Sequence, residues 1–223
     1  ALSHPDVVGI VIGTRPDCVD EEKLDYLADL AQGRILKDWT RSLSGEECRT
    51  APIVIVEYGI ESCYDSTLAR INRGHDFETA RKAVHMTAER GIDVGAHFIL
   101  GLPGESRQMM LDSCAMINEL RLRSVKFRQR RSVKGRRMEN AEVPEDFERF
   151  SLEEYLDFFV DMLERLRPDL FIERFVGEVP PRFVNETPWG LIRNVELLRL
   201  LEKKLEERGS WQGKRLESSE TNS

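Results

Sequence analysis

Val7-Val8-Gly9-Ile10-Val11-Ile12 is a continuous, largely β-branched run closed by Gly13, the pattern of a strand covered on both faces. Glu21 to Ala31 follows with Leu24, Leu27 and Leu30 at helical spacing and acidic residues at its start. Ile53 to Val56 is a second buried run, and Val94 to Leu100 a third, closed by Gly101-Leu102-Pro103-Gly104. Between and after them, Ser66 to Ile71, Phe77 to Arg90 and Glu105 to Leu120 read as helices, and Val125 to Phe127 as a short strand. Strands alternating with helices at this cadence predict βαβ units, hence an α/β fold built on a parallel sheet with right-handed crossovers.

In parallel sheets the site forms beyond the carboxyl ends of the strands. Three polar, glycine-containing segments are expected to begin at such ends: Gly13 to Asp17, Glu57 to Ser62 and Gly101 to Glu105. Gln32 to Ala51 breaks the rhythm where about 2–6 connecting residues would serve, so it reads as a poorly ordered insertion. Ser151 with Glu154 three residues on has capping-box spacing and opens a helix to Leu166. Leu170 to Val176 is strand-like, and Val195 to Arg208 is an amphipathic helix stopped by Gly209. The expected division is a barrel-type unit over 1–138, an extension over 139–215, and a disordered tail over 216–223.

Composition narrows the class. With 40% hydrophobic and 33% charged residues in a 223-residue chain, a real core is affordable and disorder is disfavoured. No apolar run approaches the ~18 residues of a membrane span and no signal peptide opens the chain, so a cytoplasmic location is expected. The chain opens on Ala1 and runs straight into a strand pattern, the mark of a trimmed start or a fragment. Cys18, Cys48, Cys63 and Cys114 lie too far apart in sequence to declare a metal site, and free thiols are expected. The net charge is −7, yet Arg121 to Arg137 is strongly basic. That run reads either as a phosphate-contacting patch or as a solvated loop.

Four motifs occur in order: Thr14-Arg15-Pro16-Asp17, Val56 to Ser62, Ile71-Asn72-Arg73-Gly74-His75, and His97 to Glu105. Together they resemble the radical S-adenosylmethionine (SAM) superfamily, in the bacterial group near the catalytic subunit of Elongator and the oxygen-independent coproporphyrinogen oxidases. The likeness runs on through Val133-Lys134-Gly135, Phe175 to Arg182 and Trp211-Gln212-Gly213. It implies a partial (β/α)6 TIM-like barrel of the radical SAM type, here lacking its first strands and carrying a C-terminal α/β extension. It also implies a 4Fe–4S cluster that cleaves SAM to a 5′-deoxyadenosyl radical, fed by a reductant such as flavodoxin or ferredoxin. The cluster cysteines are expected to be missing from this chain, which by itself should not cleave SAM. The implied substrate is unspecified, with tRNA or another RNA suggested by the Elongator analogy; the alternative is a non-catalytic RNA-binding module.

The resemblance also assigns residues. Arg73 falls near the SAM carboxylate, where a guanidinium fork suits better than an ammonium; otherwise it is a helix-surface arginine. Glu61 falls at a ribose contact, or is a solvated loop acid. Gly101, Pro103, Gly104 and Glu105 match the adenine-contacting element, with Ile99 and Leu102 offering an apolar face, or they form an ordinary strand-to-helix turn. His97 falls at a ribose contact, or is a hydrogen-bonded core residue. Arg15 and Glu57, paired with one another, and Arg130 and Lys134 are the substrate-binding candidates; no metal ligand is assigned.

Overall fold

The computed structural model describes residues 2, 4, 7–35, 51–129, 147–177, 189 and 192–216, together with the backbone of 41–43 and 46–48. Its elements in chain order are β1 (Gly9–Thr14), α1 (Glu21–Ala31), β2 (Arg41–Leu43), β3 (Glu46–Cys48), β4 (Ile53–Glu61), α2 (Asp65–Arg70), α3 (Phe77–Glu89), β5 (Asp93–Leu100), α4 (Arg107–Glu119), β6 (Ser124–Gln129), α5 (Leu152–Leu163), β7 (Phe171–Arg174) and α6 (Asn194–Glu207). Strands β1, β4, β5, β6 and β7 form one sheet in that order, and every pairing in it is parallel. The expected α/β class with a parallel sheet is therefore what the chain adopts.

One face of the sheet packs against helices. Val54, Val56, Tyr58 and Ile60 of β4, with Val94, Ala96, Phe98 and Leu100 of β5, are buried there. The Tyr58 hydroxyl reaches Thr87 of α3 at 2.7 Å. Phe127 of β6 meets Phe159 of α5 edge-on, with ring centroids 5.6 Å apart, the arrangement aromatic quadrupoles prefer. Aspartate or serine N-caps start α1, α3 and α4, and Ser151 with Glu154 completes the anticipated capping box on α5.

The other face is open among the described residues. Val11, Ile53 and Phe171 are 58%, 52% and 67% exposed, so β1 and the start of β4 are not covered on both faces as their apolar runs predict. The continuous run in β1 reflects strand propensity at a sheet edge rather than two-sided burial. A second correction concerns Glu57 to Ser62. All but Ser62 lie within β4, because Tyr58 and Ile60 continue the helix-facing alternation while Glu57, Gly59 and Glu61 face the open side. The insertion read as poorly ordered contains the antiparallel pair β2–β3. Residues 130–146, 178–188 and 217–223 lie outside the described set, and with them Arg130, Lys134 and the Glu178 to Arg182 motif.

Candidate functional site

The carboxyl ends of β1, β4 and β5 bring the expected segments to one rim. At the end of β4 the pairing with β5 slips between Gly59 and Glu61. Glu61 there takes φ 74°, a left-handed conformation that costs a non-glycine residue on the order of 1 kcal/mol. A bulge of this kind re-aims one side chain at the edge of a site. The Glu61 carboxylate lies 3.3 Å from Arg73 Nη2. Arg73 Nε donates to the Gly59 carbonyl at 3.1 Å, and its Nη2 donates to the same oxygen. Arg73 is therefore no free surface arginine: one edge of its fork is fixed on the β4 backbone, and Nη1 remains for a ligand.

Glycine at position 59 is required for this clamp. A Cβ there would stand 2.4 Å from Arg73 Nη2 and 2.9 Å from Glu61 Oε1. The next residue of the same loop, Gly74, takes φ 84° and lies beside Arg15, whose guanidinium would be 3.8 Å from an added Cβ. Arg15 Nε binds Asp17 Oδ1 at 2.9 Å, and that hydrogen bond holds the Asp17 carboxyl below its ordinary range. The anticipated Arg15–Glu57 pair does not form, because Asp17 is the nearer carboxylate on the same turn and Glu57 is engaged elsewhere.

The segment from Gly101 to Glu105 is tied to the same place. Gly101 and Gly104 take φ 78° and 85°, values that need glycine. Glu105 is 5% exposed and accepts from Ser62 Oγ, directly after Glu61. Leu102 and Pro103 are packed inward, so Leu102 offers no apolar face to a ligand, while Gly104 is exposed. Burial raises the Glu105 carboxyl above its ordinary 4.5, against the lowering effect of Ser62 and Thr67. The folded state then holds this proton more tightly than the unfolded one, so stability declines as pH rises from 4.5 through the raised value. Glu105→Gln keeps an acceptor for Ser62 without the buried charge. It should melt higher than the parent at pH 7.5 and lose that advantage at pH 4, measured by thermal unfolding at both.

A polar ladder that sequence reading missed crosses the open face below this rim. His97 Nε2 lies 2.8 Å from Glu57 Oε2, Lys126 binds Glu57 Oε1, and Lys126 Nζ lies 3.2 Å from Glu173. Burial pushes the Glu57 carboxyl up, but hydrogen bonds from Lys126 and His97 outweigh it and leave it below the usual range. Lys126 was hidden in the basic run; its alternation with buried Val125 and Phe127 is the signal that separates it from a solvated loop.

A cavity of about 610 Å³ at the opposite end of the strands is lined by Asp93, Arg121, Arg123 and Arg167. It sits at the amino ends of β5 and β6, away from the glycine-rich rim, and we place the site at the rim. The two buried side-chain atoms without a partner among the described residues, His75 Nε2 and Gln129 Oε1, belong to the Arg73–Gly74–His75 loop and to the carboxyl end of β6. A guanidinium edge, a carboxylate acceptor and glycine-rich backbone suit the carboxylate, ribose and base of a SAM-like nucleotide. No group of three or more His, Cys, Asp or Glu able to hold a metal occurs among the described residues. Cys63 and Cys114 are buried with raised thiol values, and Cys18 is exposed. No described helix is long and apolar enough to cross a membrane.

Comparison with known proteins agrees with this fold. Residues 46–117 match the Radical SAM superfamily. An uncharacterized protein of Methanocaldococcus jannaschii, MJ0486, is 31% identical over 96% of this chain, which spans 62% of the length of that relative. The tRNA uridine(34) acetyltransferase of Methanocaldococcus infernus is 28% identical over 46% of the chain and 15% of its own length. In fold, the archaeal Elp3 of M. infernus with an N-terminal deletion superposes with a TM-score of 0.70 at 20% identity, covering 92% of this chain and 43% of that one. The superfamily works with SAM and a 4Fe–4S cluster, and this chain carries the match to it over residues 46–117, on a sheet that shares the fold of the archaeal Elp3.

Proposed function

We propose that this chain supplies the nucleotide-holding rim of an enzyme that cleaves SAM to initiate radical chemistry. The observation that carries the reading is the convergence of Arg73, Glu61 and the Gly101–Glu105 turn on the end of β4, joined by the Arg73–Glu61 pair and the Ser62–Glu105 bond. Arg73 would take the carboxylate of SAM through Nη1, Glu61 would accept from a ribose hydroxyl, and exposed Gly104 would let backbone approach the base. Bound at a reduced 4Fe–4S cluster, SAM supplies the oxidising radical; this chain's residues hold the nucleotide and limit where it points. A reductant of the flavodoxin or ferredoxin kind would deliver the electron.

For substrate we favour tRNA. The support is the partial likeness to a tRNA uridine(34) acetyltransferase and the basic run, of which Arg128 is exposed near the carboxyl end of β6, whereas Arg121 and Arg123 lie at the opposite end of the strands. The test is anaerobic incubation of the cluster-loaded, full-length polypeptide with SAM and dithionite, reading 5′-deoxyadenosine. Arg73→Lys should lower SAM cleavage about 10–100-fold, because one ammonium cannot hold Gly59, Glu61 and a carboxylate together. Parental activity in that variant would refute the assignment of the rim. Colourless protein that makes no 5′-deoxyadenosine yet binds tRNA with steep salt dependence would favour the RNA-binding module instead.

A further inference from the structure

The ladder on the open face has a use that the rim does not account for. We propose that His97 is the residue that accepts a proton from the substrate, with Glu57 as the positioning residue that fixes its ring. This rests on the reading of the rim as the nucleotide site, since it places substrate over the open face beneath that rim.

The geometry constrains the ring. A carboxylate only accepts hydrogen bonds, so the 2.8 Å contact with Glu57 Oε2 puts the proton of a neutral His97 on Nε2 and leaves a lone pair on Nδ1. Among the described residues no group takes Nδ1, and it is not one of the buried, unpartnered polar atoms. The histidine side chain is 19% exposed, so this nitrogen is reachable from the open face.

Glu57 is in turn immobilised. Its second oxygen is bound by Lys126, which also pairs with Glu173 on β7, so groups from β6 and β7 brace the one carboxylate that holds the imidazole. Room for the carboxylate comes from Gly95 next to it on β5, where a Cβ would stand 3.0 Å from Glu57 Cγ and 3.1 Å from Ser124 Oγ. Glu57, Lys126 and Glu173 of the ladder sum to one excess negative charge, while Arg73 and Glu61, over the Gly59 that neighbours His97 on β4, offset one another. The positive charge that appears on the ring during transfer is the one this assembly lacks.

The ligand chemistry follows: a substrate with a dissociable O–H or N–H. Its proton moves to His97 Nδ1, the bonding pair stays on the substrate heteroatom, and the resulting imidazolium faces the Glu57 carboxylate across Nε2–H. No oxidant or reductant enters this step. An orienting carboxylate behind a proton-accepting histidine is the same division of labour seen wherever a tautomer must be fixed.

Two readouts test this. In ¹⁵N-labelled protein, long-range imidazole spectra, with His97 identified by its loss in His97→Gln, should show a protonated Nε2 and a bare Nδ1. Diethyl pyrocarbonate should modify His97, and Glu57→Gln should slow that reaction at least about tenfold, since a glutamine amide no longer dictates the tautomer. An Nδ1-protonated ring in the parent, or equal reactivity in Glu57→Gln, would overturn the proposal. The parent spectrum needs no variant and decides the matter even where Glu57→Gln fails to fold. In the full-length, cluster-loaded polypeptide, His97 should stay reactive with SAM bound, binding being followed separately by calorimetry. Shielding by bound SAM would make His97 a cofactor contact and refute the substrate role. An absence of SAM binding would instead strike the reading of the rim, and the tautomer result would still report on the dyad.

Discussion

Gly59→Ala is expected to fold normally and to lose about 10–100-fold of SAM cleavage. The added methyl would enter the space now filled by the Arg73 guanidinium, 2.4 Å from Nη2 and 2.9 Å from Glu61 Oε1. Both are far ends of flexible side chains, so they yield and the β4 backbone does not. Gly59 has no positive φ, and alanine carries less unfolded-chain entropy than glycine, so the melting temperature should hold or rise slightly. What is lost is the grip of Arg73 on the Gly59 carbonyl and its pairing with Glu61. A charge-assisted hydrogen bond lost near a charged ligand corresponds to about 1.5–3 kcal/mol, which sets the expected factor. 5′-Deoxyadenosine yield and calorimetric melting on the same preparation separate the two effects. Undiminished cleavage would mean that the Arg73 clamp does not hold the nucleotide.

Why part of this was legible in the chain and part was not follows from which forces act locally. The bounds of α1 matched those read from its Leu24–Leu27–Leu30 stripe, and α3 came within one residue, because helix period and Asp N-caps are encoded within one turn. The parallel sheet was legible because only crossovers accommodate strands spaced by helices. The extent of β4 was not, since Glu57, Gly59 and Glu61 look like loop residues until the buried partners Tyr58 and Ile60 are seen to alternate with them. The Arg73–Glu61 contact depends on a bulge and a left-handed φ at Glu61, which no residue type at that position announces. The ladder is non-local altogether. Glu57, His97, Lys126 and Glu173 come from four strands, and only the register of the sheet brings them together. Their opposite charges were spread over 117 positions of sequence, and charge patterning along the chain carries no information at that range.

The ladder also yields the largest expected effect on stability. Lys126→Met keeps the length and the apolar stem of the side chain, so it removes the ammonium without opening a cavity. Glu57 and Glu173 then face one another over the site that Lys126 held, with His97 as the remaining partner of Glu57. Removing one member of a largely buried pair costs more than the pair was worth, because the remaining charge stays desolvated; about 2–4 kcal/mol at pH 7.5 is expected. The pH dependence distinguishes this cause from simple mispacking. In the parent the Glu57 carboxyl is held below its ordinary 4.5, so its contribution is present above that pH and fades as pH falls through the folded value. In the variant the lowering by Lys126 is gone and burial is opposed by His97 alone, so the carboxyl moves up and keeping it ionised at neutral pH costs stability. The gap between parent and variant should therefore be widest at pH 7.5 and narrow towards pH 4.5, where Glu57 can take up a proton. Urea midpoints at the two pH values, with unchanged m, measure that gap directly. A gap that is constant or widens in acid would show that Lys126 supports the sheet by packing and that the carboxylate is held by something else.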